Sequence, residues 1–247
     1  MQIVGYRASS GTLMLACDGE PQSIALTPGT ELSYALGERH CAGVLTADSH
    51  QSCEKTGAPY CQLHDQTWIC ARCIGTCLKD EMDCTVPHAV YLAAFAPNTF
   101  KVGVTKRDRL TTRLKEQGAD RAAHLETVAD GRIARQHEAD LATKLTDRVR
   151  IDTKIAGLTR SVDPVAWSSL LDRHSPVETF TFDYGLDLER PPVHETVLSG
   201  TVRGRKGRLV VLERETETYV VDCRSLVGYE ITRGRPDRPL QRSIGSF

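Results

Sequence analysis

Seven of the nine cysteines lie between residues 41 and 84, and this cluster constrains the fold more than any other feature of the sequence. The segment is polar and Gly-rich, so it lacks the apolar area to fold unaided. Zinc can supply roughly 10 to 16 kcal/mol of folding free energy in small fingers. The cluster therefore predicts a segment that folds around metal.

The expected compartment decides between disulfides and metal ligation. The N-terminus has no basic region followed by an apolar run, and nowhere do eighteen apolar residues run together. We therefore expect a cytoplasmic protein that does not associate with membranes. Cysteines at this spacing in a reducing compartment favour metal ligation over disulfides.

The spacing within the cluster predicts one or two structural zinc ions. Cys61-Gln-Leu-His64 and Cys70-Ala-Arg-Cys73 each place two ligands two residues apart, so that one turn can supply two corners of a tetrahedron. The simplest partition gives one ion Cys41, Cys53, Cys61 and His64, and the other ion Cys70, Cys73, Cys77 and Cys84. Alternative ligands are His40, His50 and His88. Two cysteines outside the cluster, Cys17 and Cys223, are expected to pack as small hydrophobes.

Hydrophobic patterning predicts an α+β fold with five segments. These are an N-terminal β module (1–38), a zinc-ribbon-like cluster (39–86), an α/β domain (87–190), a C-terminal small β-barrel-like module (191–233) and a basic flexible tail (234–247). Residues 87 to 150 predict the order strand, strand, helix, strand, helix. Asp108 and Asp130 are the expected helix N-caps, and the first helix is expected to stop at Gly118.

Two short motifs resemble those of a known superfamily. Val90-Tyr91-Leu92 and Lys101-Val102-Gly103-Val104-Thr105 resemble the two strands that give the GIY-YIG nucleases their name. Arg113-Leu114 resembles the helix that follows them, and Ala134-Arg135-Gln136-His137-Glu138 is similar to the later helix that carries a metal-binding glutamate. This resemblance covers residues 88 to 150. As a whole, the chain also resembles an uncharacterised prokaryotic family, with archaeal members, known only as a domain of unknown function.

The GIY-YIG resemblance implies phosphodiester hydrolysis with one divalent ion, Mg²⁺ or Mn²⁺, held by Glu138. It makes Tyr91 the first motif tyrosine, Gly103 the motif glycine and Arg113 the residue that stabilises charge in the transition state. The sequence departs from the pattern because Lys101 stands where the second tyrosine is expected. Arg109 competes with Arg113 for the arginine role. A fold of this type can also persist as a binding platform without the chemistry.

Local charge points to a nucleic-acid partner, although the net charge is only −1. Two groups of basic residues stand out, and they predict a surface that faces the phosphates of RNA or DNA. They are Lys106, Arg107 and Arg109, close to Lys101, Arg113 and Lys115, and then Arg203, Arg205, Lys206 and Arg208. The leading hypothesis is therefore a zinc-containing nucleic-acid-binding protein with a GIY-YIG-like domain and metal-dependent endonuclease activity. The alternative is a non-catalytic interaction or assembly module stabilised by zinc.

Overall fold

Strands from the two ends of the chain join in one sheet. The computed structural model describes residues 1–65 and 85–234. Within this part of the chain, residues 1–65 and 184–234 form one unit, and residues 85–183 form another. Each unit has its own core.

The elements run as follows in chain order. The first unit begins with β1 (Gln2–Arg7), β2 (Thr12–Cys17), β3 (Glu20–Ala25), β4 (Glu31–Arg39), β5 (Val44–Leu45) and β6 (His50–Gln51). The second unit holds β7 (His88–Phe95), β8 (Thr99–Lys106), α1 (Leu110–Gln117), β9 (Arg121–Val128), α2 (Gly131–Ala142), α3 (Ile151–Ala156), α4 (Pro164–Leu171) and β10 (Glu178–Thr181). The first unit then resumes with β11 (Val193–His194), β12 (Leu198–Lys206), β13 (Leu209–Arg214), β14 (Glu217–Asp222), α5 (Cys223–Leu226) and β15 (Tyr229–Arg233).

The first unit contains a nine-stranded sheet of order β11-β14-β13-β12-β4-β15-β1-β2-β3. The C-terminal strand β15 pairs antiparallel with both β4 and β1, so the strands predicted for the two terminal modules share one ladder. The sheet is open, with β11 and β3 at its edges, and the barrel-like module predicted for residues 191–233 is wrong in this respect. Side chains from both ends of the chain, including Ile3, Leu13 and Val210, fill one core.

Turn chemistry in this unit follows the sequence. Asp18 and Gly19 join β2 to β3 with φ values of 51° and 85°, which is the positive-φ pair that a tight two-residue hairpin requires. An Asp-Gly pair between two segments of alternating apolar and polar residues is therefore a hairpin signal that the sequence itself carries.

The second unit is built on a four-stranded sheet of order β10-β9-β7-β8. All eight residues of the central strand β7 are buried, because helices cover both faces of the sheet. Val90, Leu92 and Ala94 pack in one cluster with residues of α2 and α4. Tyr91, Ala93 and Phe95 alternate with them and pack against Leu110 and Leu114 of α1.

The predicted order strand, strand, helix, strand, helix is confirmed in this unit. The Asp130 carboxylate accepts a hydrogen bond of 2.8 Å from the Ile133 N–H, and Gly118 ends α1 in the left-handed conformation, as expected. Asp108 differs from its prediction. It lies in a 3₁₀ turn at Arg107–Arg109, and α1 begins after this turn, at Leu110.

Candidate functional sites

Four metal-ligating side chains converge in the first unit, just beyond β4. They are Cys41, Cys53, Cys61 and His64, whose ligand atoms all lie within 4.8 Å of one another. The His64 Nδ1 atom is 3.2 Å from the Cys41 Sγ atom and 3.5 Å from the Cys61 Sγ atom. Sulfur and nitrogen ligands at about 2.3 and 2.0 Å from a tetrahedral zinc lie roughly 3.5 Å apart. The group is therefore positioned to bind a metal ion, and its dimensions fit zinc.

Backbone N–H groups support the sulfur atoms of this site. The Gly43 and Cys61 N–H groups donate to the Cys41 Sγ atom at 3.4 and 3.3 Å. Burial acts to raise the pKa of the Cys61 thiol, but the backbone N–H groups of Leu63 and His64 help to outweigh it, so the pKa lies below its usual value. A thiolate is the form that binds metal.

Hydrogen bonds from a buried glutamine connect the metal-ligand group to the nine-stranded sheet. The Gln2 Nε2 atom on β1 donates to the Cys41 carbonyl at 3.2 Å and to the Gly228 carbonyl at 3.1 Å. The Cys41 N–H donates to the Lys55 carbonyl at 2.8 Å, which holds the ligand loop closed. Cys41 is fully buried, so its position is set by the sheet and by the loop together.

The other predicted ligands fall into two groups. Cys70, Cys73, Cys77 and Cys84 lie outside the described residues. Each histidine named as an alternative ligand is instead hydrogen-bonded to a backbone carbonyl: His40 to Cys53, His50 to Ala42 and His88 to Val86.

A second constellation lies in the other unit, around the hydroxyl of Tyr91. The phenol ring crosses over Gly103, its cross-strand partner on the outer strand β8. A Cβ atom at Gly103 would lie 2.5 Å from the Tyr91 hydroxyl oxygen, so the ring occupies the space that a side chain would need. The Gln117 Nε2 atom donates to this oxygen at 2.7 Å.

Charged groups surround the phenol. Burial raises the pKa of Tyr91, Arg113 acts to lower it, and Glu138 acts to raise it. Burial lowers the pKa of the half-buried Lys101 to about 8, while Glu138 acts to raise it and Arg113 to lower it. Of the four residues predicted as catalytic, Arg113 and Glu138 therefore lie close enough to both Tyr91 and Lys101 to act on them electrostatically. We call these four residues, with Gln117 and Arg135, the Tyr91 cluster.

Glu138 is already engaged within the cluster. Arg135, one helical turn earlier on α2, donates from its Nη1 atom to the Glu138 Oε2 atom. The two side chains are 26% and 13% exposed. Arg113 is 49% exposed and shares Glu116 with Arg109, at 3.6 and 3.2 Å. Arg113 is thus the more accessible cation of the cluster, and Glu138 is the better shielded anion.

The basic residues predicted to contact nucleic acid differ in their surroundings. Lys106 at the end of β8 and Arg107 and Arg109 in the following turn are exposed, and the two arginines lie 3.8 Å from Glu178 and 3.2 Å from Glu116. In the hairpin of β12 and β13, Arg203 forms an exposed pair with Glu213 at 3.0 Å, and Arg208 pairs with Asp222 at 2.9 Å. Arg205 donates to the Ala8 carbonyl, and Lys206 is buried near the Tyr184 ring.

Sequence reasoning missed Gln117, but the sequence predicts an ion pair between Arg135 and Glu138, and this pair is confirmed. Gln117 follows Arg113 by four residues and therefore lies on the same face of α1. Arg135 precedes Glu138 by three residues, a spacing typical of helical ion pairs. Both spacings are visible in the sequence, but only the packing of α1 shows that Gln117 donates to Tyr91.

The described part of the chain is a mixed α+β protein with a Cys₃His group arranged to bind a metal ion. None of its helices is long and apolar enough to cross a membrane. Residues 29–189 match the family model described as "Protein of unknown function (DUF2797)", and the chain belongs to this family. Comparisons with curated proteins and with solved structures gave no match.

Proposed function

We propose that the protein is a zinc-stabilised, nucleic-acid-binding protein of the cytoplasm. In this proposal the Cys₃His group holds a structural zinc ion, and the Tyr91 cluster contacts the phosphates of RNA or DNA. All four protein ligands are present, so the zinc shell is closed and zinc serves folding rather than catalysis. The zinc site is proposed from the Cys₃His group, and the phosphate-contacting surface is proposed from the charged residues around Tyr91.

The observation that carries this proposal is that Arg113 and Glu138 act on both the buried Tyr91 phenol and the Lys101 ammonium of the outer strand β8. An ammonium and a guanidinium are the groups that proteins use to bind phosphate. The exposed Lys106 at the end of β8 extends the positive charge, and Arg107 follows it, with Glu178 at 3.8 Å. A phosphate backbone can therefore contact more than one cation along this edge.

Hydrolysis of phosphodiesters is the further activity that the same residues support. A GIY-YIG-like reaction would use Tyr91 near the attacking oxygen, Arg113 on the developing negative charge, and Mg²⁺ or Mn²⁺ at Glu138. The proximity of Arg113 and Glu138 to Tyr91 supports this hypothesis. The lysine at position 101 and the pairing of Glu138 with Arg135 argue against it.

The alternative is a non-catalytic assembly module stabilised by zinc. It is favoured by the β12–β13 hairpin, where Arg203 and Arg208 already pair with carboxylates of the same unit. Such pairs reduce the charge that is available to a phosphate backbone.

The dependence of affinity on salt separates these functions. Fluorescence anisotropy of the full chain with labelled, mixed-sequence single-stranded RNA and DNA should show an affinity that falls steeply as salt rises. Arg113→Ala should weaken binding and reduce the slope of log affinity against log salt by about 1. Arg173→Ala, which removes an exposed arginine just after α4, is the control and should leave the slope unchanged. Binding that is absent or insensitive to salt would favour the assembly module.

A further inference from the structure

We propose that the Tyr91 cluster binds phosphate directly, without a divalent cation, because the Arg135 guanidinium occupies the carboxylate that a metal would need. This inference rests on the proposed function and specifies its chemistry. The ligand class is a phosphate oxyanion of a nucleic-acid backbone, bound by Lys101 and Arg113 while Glu138 holds Arg135 in place.

The first step concerns the carboxylate of Glu138. Its Oε2 atom accepts a charge-assisted hydrogen bond from Arg135 within the same helix, and both side chains are largely shielded from solvent. A Mg²⁺ or Mn²⁺ ion at the same oxygen would have to displace this guanidinium, which leaves a partly buried cation without its partner, and an ion at the other oxygen would be repelled by the guanidinium beside it. Separating such a pair is costly, so Glu138 is a poor vacant ligand for a metal.

The second step concerns the local charge. Lys101 experiences two carboxylates, Glu138 and Asp147, and two guanidinium groups, Arg113 and Arg135. Asp147 is 57% exposed and lies 3.7 Å from Arg148, so solvent and its neighbour weaken its effect on Lys101. Glu138 is paired with Arg135 and also acts on Lys101, and the nearby Glu116 is shared by Arg113 and Arg109. Within the cluster itself, three cations, Lys101, Arg113 and Arg135, stand against one anion, Glu138, so positive charge is in excess.

The third step concerns what this excess favours. The Lys101 side chain is half-buried, so its ammonium loses hydration, and Glu138, the carboxylate that acts on it most, is already paired with Arg135. An incoming oxyanion would add counter-charge, whereas a divalent cation would add to the repulsion. Arg113 is exposed enough to reach the same anion, and its contact with Glu116 is a long one of 3.6 Å shared with Arg109.

A cation-depletion experiment tests the inference with the full chain. The labelled single-stranded oligonucleotides are titrated in the presence of a chelator, and again with Mg²⁺ or Mn²⁺ at matched ionic strength. We expect dissociation constants within about twofold of each other. Binding that requires Mg²⁺ or Mn²⁺ would overturn this inference and leave the proposed function standing. Absence of binding under both conditions would overturn both.

The Glu138→Gln variant gives opposite results for the two chemistries. If phosphate binds directly, loss of the anion frees Arg135 and adds one positive charge, so affinity should rise by about fivefold. If a metal at Glu138 mediates binding, affinity should collapse instead. The matched control is Asp140→Asn, which makes the same charge change at an exposed position of α2 and should change affinity less.

A double variant, Arg135→Gln with Glu138→Gln, guards against misfolding of the single one. It removes both members of the ion pair and keeps the net charge, so affinity should return to about the wild-type value. Thermal unfolding monitored by circular dichroism checks that each variant is folded. A double variant that is folded but no longer binds would overturn the inference. A phosphate site that works without a divalent metal ion keeps its net charge in that variant and should still bind.

Discussion

Gly103→Ala tests whether the Tyr91 phenol is held as tightly as the structure indicates. A Cβ atom at this position would lie 2.5 Å from the Tyr91 hydroxyl oxygen and 2.6 Å from its Cζ atom. Tyr91 is only 1% exposed and packs among Phe95, Leu110 and Leu114, so the ring cannot move aside without disturbing that core. Overpacking of this kind costs about 1 to 3 kcal/mol.

Two smaller terms adjust this magnitude. Displacing the phenol weakens the 2.7 Å hydrogen bond from Gln117, which is worth about 1 kcal/mol. Replacing a strand glycine by alanine normally stabilises a protein by roughly 0.5 to 1 kcal/mol. The second term offsets the first, and we expect a net loss of about 2 kcal/mol in the free energy of unfolding.

The assay is chemical denaturation followed by the fluorescence of Trp167, which lies in the same unit, in a Trp68→Phe background. Tyr91→Phe removes the hydrogen bond without overpacking and should cost only about 1 kcal/mol. Gly5→Ala, monitored by circular dichroism, is the glycine control, because its Cβ would meet Met14 at an ordinary 3.7 Å. A Gly103→Ala protein as stable as wild type would refute the reasoning, because the ring would then have room to move.

Two further predictions concern metal and pH. Cys41→Ser should lower the zinc content by one ion per chain and destabilise the fold, whereas Cys17→Ser, outside the ligand group, should do neither. Elemental analysis measures the zinc content, and thermal unfolding measures the stability. A fully folded metal-free protein would contradict the assignment. Because the pKa of Lys101 is lowered to about 8, its positive charge is present below that pH, and nucleic-acid affinity should fall as the pH rises through about 8. Lys101→Arg keeps the charge at these pH values and should abolish this transition in anisotropy titrations; an unchanged transition in the variant would exclude Lys101 as its source.

The local elements of the second unit could be predicted because each depends on neighbouring residues. Asp130 and Gly118 delimit helices through their own hydrogen bonds and backbone conformation, and both were placed correctly. Asp108 was misplaced because the turn after β8 continues as a 3₁₀ turn before α1 begins. That choice depends on packing beyond the residues that form the cap.

The terminal β segments show where local patterning stops. Alternation of apolar and polar residues marks the strands, but it carries no information on which distant strand each one pairs with. The same pattern is compatible with two small modules or with one sheet in which β15 lies between β4 and β1. Only the burial of one shared core, with Ile3 and Val210 in the same cluster, decides between them.

The sequence by itself determined the ligand chemistry of the metal site. Cysteine and histidine side chains at short spacing in a polar segment predict a metal site, because the side chains carry the affinity for metal. The simplest partition of these ligands includes Cys41, Cys53, Cys61 and His64, and the structure selects this set over His40, His50 and His88. The pairing of Arg135 with Glu138 also follows from the sequence, because the two residues are three apart on one helix. The tertiary structure alone decided what surrounds Tyr91. It placed the Gln117 amide on the phenol and Glu138 close to it, because contacts between elements depend on how α1 and α2 pack on the sheet, which spacing along one helix does not specify.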